Sequence, residues 1–196
     1  MGFLDSLFGR TRLPKSNEDK LFAMSTAAVG LEATAGIKPA GRAGIVFKRL
    51  PPGRFDQLKK DILDLLKIQG AGEGLALEDK TDDLGFNWLI MSGTDFEEAI
   101  AAIHSAATSL LEEGLGDLLL AVAFRFERER RPEYWIYSYK QGTYYPFVPV
   151  GNHQRANAEE RRLAALGKAG LPLELPLARR SPPVGVHAQA PTSSAT

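Results

Sequence analysis

The sequence predicts an α+β fold, a mainly antiparallel sheet flanked by two long helices. Two amphipathic stretches, about residues 54–68 and 94–113, have the 3.6-residue periodicity of helices. Apolar runs that are typical of strands follow each of them, and a hairpin pattern lies at 134–149. Helices and strands in this order favour antiparallel pairing and a sheet that helices cover.

The composition is that of a globular protein without a charge bias. The chain has 196 residues, 44% of them hydrophobic, and its 24 basic residues balance 24 acidic ones. This balance argues against broad electrostatic attraction to nucleic acid or anionic lipid. The absence of cysteine excludes disulfides, thiolate catalysis and cysteine zinc sites, and it agrees with a cytoplasmic location. No apolar run reaches the roughly 20 residues that span a bilayer.

Changes of composition along the chain predict three segments. Residues 1–16 form an amphipathic segment and a linker, and residues 17–170 form a single α+β domain. Residues 171–196 form a proline-rich tail, which we expect to be disordered.

The N-terminal segment places four apolar side chains on one side of a short helix: Phe3, Leu4, Leu7 and Phe8. A helix this short is marginal alone, so its apolar side needs a partner surface. Either the core of this protein or a partner or membrane surface would supply it.

The first half of the domain is predicted to hold a hairpin, a helix and two further strands. A short helix at 20–23 precedes strands at 27–34 and 45–47, which a glycine-rich turn at 36–44 joins. The helix at 54–68 has the apolar stripe Phe55, Leu58, Ile62, Leu65 and Leu66. Strands at 75–78 and 85–91 follow.

In the second half, Thr94 to Glu97 matches a capping box that begins a helix. An apolar central strand is predicted at 118–126 and a polar turn at 127–132. The charges at 125–131 alternate in sign, which is typical of a solvated strand end. A last helix is predicted at 157–168.

The hairpin at 134–149 is the most distinctive stretch. It carries all five tyrosines of the chain, and a loop containing Gly142 separates two β-prone runs. Alternation places Trp135, Tyr137 and Tyr139 on one face, and Tyr134, Ile136 and Ser138 on the other. A strand with large side chains on both faces is either covered on both sides or exposes a binding surface.

The candidate interaction surface combines the N-terminal side chains with the tip of the hairpin. Its residues are Phe3, Leu4, Leu7, Phe8, Tyr139, Lys140, Tyr144 and Tyr145. Tyrosine and tryptophan are favoured in cores and at protein interfaces alike. An alternative is the stacking of single-stranded nucleic acid on the tyrosine rings beside Lys140, against which the zero net charge weighs.

No catalytic residue, cofactor or metal site is predicted. The three histidines lack the close spacing of metal ligands: His104, His153 and His187. An enzyme alternative would need a pocket that unites His104 with Asp82 or Glu97.

Four blocks of the sequence resemble the PspA-associated protein family PspAB of bacteria and archaea. They are MGFLDSLFGRTR at the start, DKLFAMSTAAVGLEAT at 19–34, DDLGFNWLIMSG at 82–93 and YWIYSYKQGTYYPFVPV at 134–150. Their order extends the resemblance over about residues 1–178, and the tyrosine-rich block is the most specific. The chain departs from the family near its end, because residues 179–185 lack the tryptophans that the family usually carries there.

The resemblance implies a non-enzymatic accessory of the phage-shock envelope-stress response, an adaptor or chaperone-like module without catalytic residues or cofactors. It implies a PspA-like protein as partner and an association with a membrane metallopeptidase of the HtpX type. No nucleic acid is expected as a partner. The implied location is cytoplasmic, either free or peripheral at the inner face of the membrane, and the implied fold is similar to YbjN and type III secretion chaperone-like domains.

Overall fold

The computed structural model describes residues 20–68, 76–82, 84–93, 95–150 and 154–174, and these residues form six strands and four α-helices. The strands are β1 Lys38–Phe47, β2 Ala76–Thr81, β3 Asn87–Ser92, β4 Leu119–Arg128, β5 Arg131–Ser138 and β6 Thr143–Phe147. The helices are α1 Ala23–Ala35, α2 Arg54–Ile68, α3 Phe96–Glu112 and α4 Asn157–Gly167. Two 3-10 turns lie at Lys20–Phe22 and Gly116–Leu118.

All six strands pair antiparallel in one sheet, in the order β2-β3-β1-β4-β5-β6. The predicted α+β class with an antiparallel sheet is confirmed. β1 is a central strand, although its neighbours β3 and β4 lie 40 or more positions further along the chain. Long connections therefore carry the helices across the sheet.

The four helices pack on one face of the sheet, which we call the inner face. α4 lies beside α1, α1 beside α3, and α3 beside α2. The main core fills the space between them, with Phe47, Leu89, Phe124 and Trp135 from the strands. The opposite side of the sheet is the outer face. No helix in the described part of the chain is long and apolar enough to cross a membrane.

The prediction for residues 27–34 is wrong, because they belong to α1 and not to a strand. The stretch has a single charged residue, Glu32, so it lacks the polar stripe that marks an amphipathic helix. Packing against the sheet, and not an amphipathic pattern, accounts for the helix. Buried side chains recur at helical spacing on the sheet side: Met24, Ala27, Ala28 and Leu31. Gly36, at φ 63°, ends the helix, and its N–H donates to the carbonyl of Glu32 at 3.0 Å.

The predicted first hairpin is therefore wrong as well. Most of the expected turn at 36–44 forms the first half of β1, which pairs with β3 and β4 and not with residues 27–34. Pro39 and Gly41 suggested a turn, but they lie where the register with β4 shifts between Pro39 and Ala43. A β-bulge accommodates such residues within a strand.

The remaining elements agree with the predictions to within a few residues. α3 begins one position later than the capping pattern suggested, because Asp95 is the N-cap and its carboxylate accepts from the Glu97 N–H at 2.8 Å. Thr94 and the side chains of Leu65 and Leu66 lie outside the described residues. The β4–β5 turn comprises only residues 129 and 130, both at positive φ, as in a type I′ hairpin.

The chain after α4 runs alongside the edge strand β6. Leu173 forms a parallel bridge with Tyr144, whose N–H donates to Pro172 and whose carbonyl accepts from Glu174. The N-terminal segment with Phe3, Leu4, Leu7 and Phe8, and residues 175–196, lie outside the described residues. The predicted domain boundaries stay predictions.

Candidate interaction surface

The tip of the hairpin lies in the core and not on the surface. Tyr139 and Tyr144 are 1% and 0% exposed on the inner face, and Tyr145 is 9% exposed on the outer face. Only Lys140 among the four hairpin candidates is exposed. Burial of the three tyrosines does not favour this part of the predicted interaction surface, which stays a prediction. Buried rings cannot stack on nucleic acid bases, so these tyrosines do not provide the stacking surface that the nucleic-acid alternative needs.

Three tyrosine rings pack together under the helices. The Tyr137 ring centroid lies 5.2 Å from that of Tyr139 and 4.8 Å from that of Tyr144. The Tyr144 hydroxyl donates to the carbonyl of Leu21 at 2.6 Å. Burial raises the pKa of Tyr144 far above its ordinary value, since the phenolate would be poorly solvated there. The hairpin thus fixes the turn from which α1 begins.

α4 lies very close to β5. A Cβ atom on Gly167 would lie 2.5 Å from Cη2 of Trp135, so only glycine permits this approach. The two-faced alternation of the hairpin is confirmed: Trp135 and Tyr137 lie on the inner face, and Tyr134 and Ile136 on the outer.

Two ion-pair networks join α4 to the hairpin. Glu133, 2% exposed, accepts from Arg128 at 3.2 Å and from Arg162 at 3.4 Å, and Glu159 pairs with both arginines. Burial raises the pKa of Glu133, and the two arginines oppose that shift. Arg128, in the charge run at 125–131, is therefore held in ion pairs with Glu133 and Glu159. The sequence did not reveal this network, because Glu159 and Arg162 lie on α4.

The second network centres on Glu160, which is also 2% exposed. Its carboxylate accepts from the Val148 N–H at 3.0 Å and from Arg155 Nε at 2.8 and 2.9 Å. The Arg155 guanidinium in turn lies 5.5 Å from the Phe147 ring centroid. Both carboxylates are paired with arginines, as in structural ion pairs, although Glu133 Oε2 has no hydrogen-bond partner among the described residues.

The residues of the enzyme alternative are divided between the two faces of the sheet. His104 packs its ring on Phe22 at 4.8 Å, and Glu97 accepts from Ser25 Oγ at 2.7 Å, so both face α1. Asp82 instead accepts from Nε1 of Trp88, which lies on the outer face. The structure therefore does not bring Asp82 to His104. Across the described residues, no group of three or more histidine, aspartate or glutamate side chains could hold a metal ion.

α1 and α3 each carry a long uncharged run at the surface, beside the exposed carboxylates of Glu32 and Glu97. No Asp, Glu, Lys or Arg occurs at positions 21–31 or 99–111. Glu32 and Thr34 are exposed near the end of α1, where Glu32 pairs with Lys38. The other exposed residues are Phe22, just before α1, and Thr26, Val29, Gly30 and Ala33 on α1. The half-buried residues of α3 between positions 99 and 108 are Ala101, His104, Ser105 and Thr108. We call these last nine residues the α1–α3 surface. Phe22 is 41% exposed and Val29 72% exposed.

This pattern differs from that of an ordinary surface helix, whose solvent side is charged or polar. Protein interfaces, in contrast, are depleted of charged residues at their centres. Small side chains at Thr26, Gly30 and Ala33 permit the close approach of another helix. This surface was not predicted from the sequence, because residues 27–34 were expected to form a strand. The available signal was the pair of uncharged runs.

The fold and this surface define an α+β protein with one antiparallel sheet, one helical layer and an exposed helical side that has the composition of a protein interface. The chain belongs to the PspA associated protein B family, PspAB, whose model matches residues 1–183. The family expected from the four sequence blocks is confirmed, and it is consistent with an accessory role in the PspA system. No curated protein and no solved structure matches the chain. The expected likeness to YbjN and type III secretion chaperones is not confirmed.

Proposed function

We propose that this protein is a non-enzymatic adaptor of the PspA-type envelope-stress response, which binds a PspA-like protein through the α1–α3 surface. Family membership supports the partner. One structural observation carries the choice of surface: Val29 is 72% exposed within eleven consecutive uncharged residues, at positions 21–31, of a surface helix and its preceding turn.

The geometry suits a helical partner. Phe22 contacts His104 while Ser25 contacts Glu97, so α1 and α3 run antiparallel where they touch. Two adjacent helices leave a groove between them, along which a third helix can pack. A partner helix there would cover Phe22 and Val29, and would need an uncharged stripe of its own. Apolar area removed from water contributes about 25 cal/mol per Å².

The adaptor would act in the cytoplasm, free or at the inner face of the membrane. The family resemblance also supports an HtpX-type membrane metallopeptidase as a second partner, which the adaptor would connect with the PspA-like protein. Neither role requires the protein itself to carry out chemistry.

Photo-crosslinking in cells tests the proposed surface. A photoreactive residue replaces Thr26 on the α1–α3 surface or, as a control, the 84% exposed Ile68 at the end of α2. Under envelope stress the probe at Thr26 should capture a PspA-like protein, and the probe at Ile68 should not. Capture from Ile68 alone would show that the surface is wrong. Repeated failure to recover a PspA-like protein from either probe would refute the adaptor role.

A further inference from the structure

The outer face of the sheet is apolar across five strands. Its side chains come from β1, β3, β4, β5 and β6: Val46, Trp88, Ile90, Ala121, Ala123, Tyr134, Ile136, Tyr145 and Phe147. They are between 0% and 9% exposed. They form a second hydrophobic cluster that is separate from the main core.

The described helices do not account for this burial. All of their core residues belong to the main cluster on the inner face, and none belongs to the outer one. An antiparallel sheet with one face open to water has polar side chains on that face. Here Val46 and Ile136 are instead 0% exposed, whereas the equally buried ring of Phe147 is contacted by Arg155. The outer face therefore needs its own covering layer.

We propose that the N-terminal segment of this chain covers the outer face, with Phe3, Leu4, Leu7 and Phe8 packed on the sheet. These side chains have helical spacing and form one apolar side. The other long stretch outside the described residues, 175–196, contains four prolines and no aromatic residue. Residues 69–75 and 151–153 are too short to span five strands.

The chain can reach this position. The described part begins at Lys20, whose carbonyl lies 3.4 Å from the Tyr144 hydroxyl on β6, at one side of the sheet. Residues 9–19 can extend over about 35 Å. Passing around one sheet edge to its other face takes about 10 Å, and each strand crossed adds about 4.8 Å.

The charges are complementary as well. Arg42 and Arg125 both lie close enough to Tyr134 on the outer face to influence its pKa, which desolvation raises and the two cations lower. Arg125 Nε and the Tyr134 hydroxyl are buried without a hydrogen-bond partner among the described residues. The one charged side chain in residues 2–9 is the carboxylate of Asp5.

The chain contains no cysteine, so a single introduced thiol can report on this face. Ala123→Cys places the thiol on the outer face, and the rate of maleimide labelling measures its accessibility. Deleting residues 2–9 should increase that rate at least about tenfold, because a thiol reacts only when it is exposed. A peptide of residues 1–12, added to the shortened chain, should slow labelling again.

Two further cysteines calibrate the assay. Ala106→Cys, on the buried side of α3, should stay protected in both chains, and Thr26→Cys should react quickly in both. If loss of residues 2–9 unfolds the protein, labelling at position 106 will rise too, and Leu7→Asp in the full chain then replaces the deletion. Equal labelling of Ala123→Cys with and without the segment would overturn the proposal. Protection that is lost on dilution would also overturn it, because a second copy would then be the cover.

This assay uses the purified protein alone and does not depend on a PspA-like protein. If the segment protects position 123 and the Thr26 probe captures no partner, the covering segment stands and the proposed function fails. The reverse outcome separates the two claims equally well.

Discussion

The hydroxyl of Tyr144 donates a 2.6 Å hydrogen bond to the carbonyl of Leu21, across 123 positions of the sequence. It joins β6 to the turn that precedes α1, and both residues are 0% exposed. The bond fixes where α1 starts and hence where Phe22 and Val29 face solvent. The tyrosine-rich hairpin therefore holds in place the turn next to the α1–α3 surface, which we propose as the interface.

Tyr144→Phe should lower the free energy of unfolding by about 1–2 kcal/mol, since it leaves the buried Leu21 carbonyl without this donor. Urea denaturation measures the change. Tyr134→Phe is the matched control, because the Tyr134 hydroxyl is buried and has no hydrogen-bond partner among the described residues. We expect that variant to be as stable as the parent or more so. Equal losses of unfolding free energy in both variants would show that the hydrogen bond of Tyr144 does not itself stabilise the fold.

Glu133 should make stability fall as the pH rises. Its pKa is raised in the folded state, chiefly by burial, so the folded protein binds that proton more tightly than the unfolded chain. The resulting stabilisation is full below the unfolded pKa of about 4.3 and is lost as the pH rises through the folded pKa.

Glu133→Gln removes this proton equilibrium, so the stability of the parent relative to the variant should decrease with rising pH and then level off. Denaturation at a series of pH values above and below the unfolded pKa gives the curve. An advantage of the parent that grows with pH would mean that Arg128 and Arg162 outweigh the effect of burial.

Gly167→Ala should cost about 1–3 kcal/mol, because its methyl group would overlap the buried Trp135 ring. Gly30→Ala is the control within α1, where an added Cβ would meet nothing within 4 Å. Replacing a glycine inside a helix by alanine stabilises by about 0.5–1 kcal/mol. Thermal melts of the two variants should thus shift in opposite directions. A stabilised Gly167→Ala would place α4 further from β5.

The sequence predicts those elements that have one apolar side and one charged or polar side. α2 and α3 have apolar stripes, and α3 also begins with Asp95, Glu97 and Glu98. α1 escaped prediction because residues 21–31 carry no charge, so periodicity could not separate a helix from a strand. Only residues 45–47 of β1 were predicted, because Pro39, Gly41 and Gly44 are typical of turns. Its central place depends on pairing with β3 and β4, which no local pattern encodes.

The candidate interaction surface was likewise only partly predictable from the sequence, as the hairpin shows. Its strands and the faces of Trp135 and Tyr137 follow from alternation, whereas the burial of Tyr144 depends on Leu21, far away in the chain. The predicted interaction surface therefore included Tyr139, Tyr144 and Tyr145, which are buried. The candidate that the structure provides consists of small, uncharged residues, which carry little signal by themselves.

The affinity of a purified PspA-like protein for Val29→Glu tests the central claim most directly. Val29 is 72% exposed and glutamate favours helices more than valine does, so the fold should be retained. A buried charge in the interface should weaken binding at least about tenfold, or about 1.4 kcal/mol. Ile68→Glu, at an 84% exposed apolar position outside the surface, should leave the affinity unchanged. Unaltered binding by a folded Val29→Glu variant would contradict the account.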